Sequence, residues 1–230
     1  MNPVTLAIRP VAKQAALRTI VGRLRLRGRA DGGRFTRADV RRIHGTAWRL
    51  FGELASKVPT EPTVGGRLNV LLACVSVSYF RALLAAGVER AYAIELFADA
   101  AWKIYEKWGL VPRLLARFVT RDPVERMRWR VNGFLRFPFN PPAYEFEQFP
   151  IADGIRIDMH RCPVADYLRA QGATDLCVGS WCDLDYALAE MWGGRLVRDG
   201  TLAAGAPHCD FRFKVMAPKL MQRNQRRIVS

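Results

Sequence analysis

The apolar positions of the chain change period once, near residue 143. Before that point the spacing is helical. Val11, Ala15, Ile20, Val21 and Leu24 recur among arginines and predict an amphipathic helix over residues 11–27, followed by a glycine-rich linker at 29–34. Thr36 then stands as a helix cap, with Asp39 three residues on and Phe35 and Val40 placed as a hydrophobic staple. Val40, Ile43, Ala47, Leu50, Phe51, Leu54 and Val58 keep the helical period up to Pro59, with His44 beside them as a packed or solvated residue and not a ligand. Residues 68–86 are apolar on nearly every side, which predicts a central buried helix ending at Gly87. Residues 88–108 predict a helix stopped by Gly109, with Glu95 and Asp99 as a solvated stripe. Asp122-Pro-Val-Glu125 starts another, closed by Asn132-Gly133.

From Ala143 the period is two. Tyr144 and Phe146 alternate with Glu145 and Glu147; beyond an Ala152-Asp153-Gly154 turn, Ile155, Ile157 and Met159 alternate with Arg156, Asp158 and His160. That is a hairpin with one buried face. A helix over 163–171 follows, stopped by Gly172, and then a helix from Asp175 or Ser180 to Gly193-Gly194. Strands near 195–199 and 208–215 complete the pattern. The fold class expected is α+β: a helical N-terminal part, then a four-stranded antiparallel sheet with helices packed on one face. Four segments result: a basic helix and linker at 1–34, a helical part at 35–142, an α+β part at 143–215, and a basic tail at 216–230.

Charge changes the picture only at the ends. Lys and Arg exceed Asp and Glu by 36 to 21, a net +15. Residues 1–50 hold twelve of the cations against Asp31 and Asp39, residues 211–230 hold six and no acid, and the middle is close to neutral. Basic ends of this kind suit weak contact with an anionic surface. No strand face interleaves aromatic and basic residues, so no specific nucleic-acid partner is expected. No apolar run reaches the roughly 20 residues of a membrane span, and no secretory leader is evident, so a cytoplasmic location is expected. A homo-oligomer is left open.

Candidate chemistry gathers in the last third. The five cysteines are Cys74, Cys162, Cys177, Cys182 and Cys209; none forms a Cys-x-x-Cys pair, so a zinc ribbon or thioredoxin-type site is not expected. Strand alternation points Cys209, Phe211, Phe213 and Val215 toward the helices, and His208, Asp210, Arg212 and Lys214 away. Cys182 and Asp185, three apart, flank the packing stripe Trp181, Leu184, Leu188 and Met191 of the preceding helix. A thiol and a carboxylate on a helix edge can thus meet a strand thiol, with Cys162 and His160 nearby. A thiolate activated by a cation (Arg198 or Arg212) suits nucleophilic attack, with the carboxylate moving the proton. The expectation is that Cys182, Asp185 and Cys209 line one hollow.

The segments Cys162-Pro163, Trp181-Cys-Asp-Leu-Asp185, Arg198-Asp-Gly-Thr-Leu-Ala-Ala-Gly205 and Cys209-Asp-Phe-Arg-Phe213 resemble the L-2-amino-thiazoline-4-carboxylic acid hydrolase family. The matching positions are Cys182, Asp185, Arg198, Gly205, Cys209, Asp210 and Arg212. The resemblance implies a small-molecule substrate, a cyclic amidine or thiazoline opened by water at a C–N or C–S bond to a carbamoyl product. On that reading Cys209 is the leading nucleophile, Cys182 the second, and Asp185 the general acid/base. Arg198 or Arg212 pairs with a substrate carboxylate, and Cys162, His160 and Asp210 complete the substrate site. No cofactor is required. Three alternatives stay open: Asp185 activating water directly, a lyase or metal-dependent enzyme with the metal held by Cys162, Cys182, Cys209 and Asp185 or His160, and a non-catalytic, sensor-like small-molecule binding domain.

Overall fold

The computed structural model describes residues 3–17, 19 and 35–216. Helix α1 (Pro3–Ala16) begins well before residue 11. Residues 18 and 20–27 of the expected helix, the linker at 29–34 and nearly all of the basic tail lie outside the described residues. Helix α2 (Arg37–Ala55) opens with a complete capping box: Asp39 N donates to Thr36 Oγ1 (3.2 Å), and Thr36 N donates to Asp39 Oδ2 (2.9 Å). On its buried side His44 meets the Tyr79 hydroxyl and stacks on Trp48 at 5.7 Å. Burial, with Arg9 and Lys13 nearby, holds its pKa down at about 4, so His44 is a neutral packing residue.

Helix α3 (Val64–Ala85) is long and apolar enough to cross a membrane by composition, yet most of that stretch is buried inside the protein. It is the central helix the pattern predicts, packed against α2 and α6 (Pro163–Ala170). Helix α4 (Arg90–Val119) departs from expectation, because it runs straight through Gly109. A Cβ on Gly109 would lie 2.3 Å from Met191 Cε and 2.5 Å from Leu188 Cδ1. The glycine marks where another helix crosses at close range, and the Trp192 indole N–H seals the crossing by donating to Gly109 O at 3.0 Å. Asp99 is buried on this helix instead of lying on a solvated stripe. Helix α5 (Pro123–Arg136) likewise continues past Asn132-Gly133, since Phe134 and Leu135 are core residues and Phe134 packs edge-on against Trp192 at 5.1 Å.

The sheet is fully antiparallel, in the order β1 (Glu145–Ile151), β2 (Gly154–Arg161), β4 (Cys209–Val215), β3 (Gly194–Val197). Ile155, Ile157 and Met159 of β2 stand opposite Phe213, Phe211 and Cys209 of β4. This shared face packs under α5 and under α8 (Asp183–Met191). The class is α+β as the pattern predicts: helices first, then a four-stranded antiparallel sheet with helices against it. Gly87, Gly172 and Gly193 adopt positive φ just after α3, α6 and α8, the stops read from sequence. Between α6 and α8 the chain forms the short α7 (Thr174–Leu176) and then a π-helical turn, Cys177–Cys182.

Candidate active site

A cavity of about 550 Å³ lies between the inner sheet face and the helices above it. Four of the five cysteines line it, with Asp185. They arrive from separate elements: Cys162 caps α6 just past β2, Cys177 and Cys182 bracket the π turn, Asp185 sits in the first turn of α8, and Cys209 opens β4. Cys182, Asp185 and Cys209 therefore share one hollow. Cys74 is fully buried on α3 and does not line it. The cavity is not sealed, because Val11 of α1 and Trp108 of α4 both line it and are 46% and 38% exposed.

The thiols differ in their surroundings. The Cys177 thiol hydrogen-bonds to the Cys182 sulfur and holds the Cys182 pKa below the ordinary range; burial and the Asp185 charge oppose this, while Arg198 and the Thr201 hydroxyl support it. The same bond, with burial, pushes Cys177 up. Burial also pushes Cys209 up to about 11, although its sulfur accepts from Leu202 N at 3.2 Å. Cys162 is raised by burial as well. Of the four, Cys182 is the one whose surroundings favour the thiolate.

Asp185 is pushed up to about 7, first by burial and then by Asp183, against the pull of Arg198. Its side chain keeps 21% of its surface exposed, but it lines a chamber with apolar walls, so little water reaches it. Arg198 approaches its Oδ2 at 3.5 Å, donates to the Cys182 carbonyl at 3.2 Å, and lies over the rings of Tyr186 and Phe211 at 5.0 and 5.3 Å. The guanidinium thus braces the start of α8 and favours negative charge at both Cys182 and Asp185.

The other expected site residues lie elsewhere. His160, Asp210 and Arg212 do not line the cavity; Asp210 and Arg212 occupy the opposite sheet face. There Asp210 accepts from Asp199 N (3.0 Å) and Gly200 N (2.8 Å), and Arg212 bridges Asp210 (2.7 Å) and Asp199. His160 lies 5.6 Å from the His208 ring on that side. These contacts pin the β3–β4 connection. Thr201 accepts from Ala204 N (3.0 Å) in the 3₁₀ turn Leu202–Ala204, and Gly205 ends that turn at φ 91°. Much of the Arg-x-x-Thr-Leu-x-x-Gly and Cys-Asp-Phe-Arg pattern is therefore architecture that delivers Arg198 and Leu202 N to the thiol side. Among the described residues, no three His, Cys, Asp or Glu groups are gathered closely enough to hold a metal ion. The four-ligand set with Cys162, Cys182, Cys209 and Asp185 or His160 is not assembled.

Cys177 and Tyr144 were not legible as site residues. Residues five apart diverge around an α-helix, and only a π turn brings positions 177 and 182 onto one side. Tyr144, held by Asn69 Nδ2 at 2.8 Å, has its hydroxyl pKa raised by burial and then by Cys162. The one available signal was the repetition of cysteine across 162–182.

The family model for L-2-amino-thiazoline-4-carboxylic acid hydrolase matches residues 95–213, more than half of the chain. No curated protein and no solved structure matches it. The matched residues hold every group described around Asp185, from α4 to β4, and the chain belongs to the L-2-amino-thiazoline-4-carboxylic acid hydrolase family.

Proposed function

We propose that the protein hydrolyses a thiazoline-type ring at its C–S bond, with Cys182 as nucleophile and Asp185 as the proton carrier. Family membership supports the reaction class. The residue roles rest on one observation: a thiolate-favouring sulfur and a carboxyl near pKa 7 face one cavity, with Arg198 beside both. Cys182 sulfur adds to the ring carbon between nitrogen and sulfur. The C–S bond of the ring breaks, and protonated Asp185 passes its proton to the departing sulfur, releasing a free thiol. A water molecule then gives its proton to the Asp185 carboxylate and adds to the carbon bound to Cys182. The Cys182 thiolate leaves, and the carbon ends as a carbamoyl group. One water is consumed and one thiol is formed.

The reading built on the family resemblance ranks Cys209 first, but a sulfur pushed up to about 11 is mostly protonated near neutral pH, which favours Cys182. The test is limiting iodoacetamide followed by peptide mass spectrometry, together with thiol release from 2-aminothiazolines. Cys182 should be alkylated about tenfold faster than Cys162, Cys177 and Cys209, and its labelling should stop thiol release in proportion. Thiol release that survives full alkylation of Cys182 would remove it as nucleophile and leave Asp185-activated water.

A further inference from the structure

The ring-opening end occupies only part of the cavity. Asp185, the four thiols, Tyr105 and Tyr144 influence one another's ionisation and so form one polar end. Beyond them the walls are aliphatic and aromatic, among them Ile8 and Ala12 of α1, Leu72 of α3, and Phe97, Ala100 and Ile104 of α4. Asp185 is the single acidic or basic residue that lines the cavity among the described residues, with no Glu, Lys, Arg or His. A volume of about 550 Å³ is that of a site for a drug-sized ligand. An amino-thiazoline carboxylate is far smaller, and its anionic group would face no lining cation, a costly desolvation. Arg198 is already engaged by Asp185 and the Cys182 carbonyl, and Arg212 is on the far side of the sheet. The walls from α1 and α3 also lie outside residues 95–213, the part the family model covers.

Resting on the ring-opening reading, we propose that the substrate is an uncharged, apolar-tailed member of its class: a 2-aminothiazoline or cyclic amidine carrying an alkyl or aryl substituent where the family's named substrate has a carboxylate. The head meets Cys182 and Asp185, and the tail runs between α1, α3 and α4 toward the opening at Val11 and Trp108. The experiment is a series of 2-aminothiazolines with 4-carboxylate, 4-methyl, 4-butyl, 4-hexyl and 4-phenyl groups, with thiol release and calorimetric Kd measured on the full chain. Affinity and kcat/KM should rise about fourfold per added methylene until the chamber fills, and the carboxylate should be the poorest ligand. Ala100→Phe should penalise hexyl and phenyl compounds while sparing methyl. If no compound is opened but Kd still tracks tail length, the reaction assignment fails and the ligand class stands. If neither Kd nor kcat/KM depends on the tail, or the carboxylate is preferred, the ligand class is overturned.

A separate observation concerns the end of α4. From residue 107 to 121 the chain has no acid; Trp108, Val111, Leu114, Leu115, Phe118 and Val119 are exposed, Phe118 to 89%, with Lys107, Arg113, Arg117 and Arg121 among them. Burial, and after it the charges of Arg126, Arg113 and Arg117, holds the pKa of nearby Arg130 down at about 10. A second copy on this strip would bring like charges together, whereas lipid phosphates complement them. We infer that this strip docks on an anionic lipid surface, with Trp108 at once in the strip and in the cavity wall. Full-length protein should co-sediment with vesicles of phosphatidylcholine containing about 30% phosphatidylglycerol, and a Leu114→Glu/Phe118→Glu variant should partition about tenfold less at unchanged circular dichroism. Unchanged partitioning of the variant would assign the binding to the basic ends and overturn the inference. So would a wild-type dimer, abolished by the same variant, without vesicle binding.

Discussion

Asp185 and Asp210 lie on opposite sides of one sheet, each beside an arginine, and their carboxyl groups are driven in opposite directions. Burial dominates at Asp185 and pushes it up to about 7, because Arg198 comes no closer than 3.5 Å and, among the described residues, no backbone N–H donates to its oxygens. Burial also opposes the charge at Asp210, but the backbone N–H groups of Gly200 and Asp199 and the Arg212 guanidinium outweigh it and hold the group below the usual carboxylate range. An arginine beside a carboxylate does not by itself say which way the proton equilibrium moves; the number of donors and the access of water decide. On one side of the sheet burial favours the protonated carboxyl, and on the other a set of donors holds the carboxylate against a loop.

The largest contrast should be between thiols. Cys182→Ser is expected to lower kcat for ring opening by about 10³-fold or more, while Cys209→Ser should stay within about tenfold, as measured by thiol release. Next come the two carboxylates. Asp185→Asn should cost about 10²–10³-fold in kcat/KM and remove the decline above pH about 7, since the acid form is required for the first step. Asp210→Asn should leave that limb in place. An unchanged pH profile in Asp185→Asn would break the contrast.

Stability sharpens the same comparison with smaller effects. Asp210→Ala frees two backbone N–H groups and Arg212, and should destabilise by about 1–3 kcal/mol in urea melts. The pH dependence should have opposite signs at the two groups. The folded pKa of Asp185 exceeds the unfolded one, so the native state holds the extra proton and the group's contribution falls as pH rises from about 4 to about 7. The melting temperature of Asp185→Asn relative to wild type should therefore climb with pH across that window. Asp210 is depressed, so its contribution is present above pH about 4 and is lost on acidification; the Asp210→Asn penalty should shrink below that pH. Smallest of all, Arg156→Ala removes a solvent-screened surface pair with Asp158 and should leave the urea midpoint almost unchanged.

The sequence by itself determined the elements and their order. The caps at Thr36 and Asp122 and the period-two run after residue 143 are local signals, and so is the inward direction of Cys209; each depends on neighbours a few residues away. Gly109 shows the limit, because a glycine that ends a helix and one that lets another helix cross look alike until Leu188 and Met191 are in place. The expected hollow shared by Cys182, Asp185 and Cys209 is there, but the assignment of Arg212 and Asp210 to it fails, since strand alternation already sent them to the far face. Only the tertiary structure decided which sulfur has its pKa lowered. That choice depends on a π turn that rotates Cys177 onto Cys182, on a loop that carries Arg198 to Asp185, and on apolar walls supplied by distant helices. Desolvation and hydrogen bonding act through space, and residues far apart in the chain set them jointly.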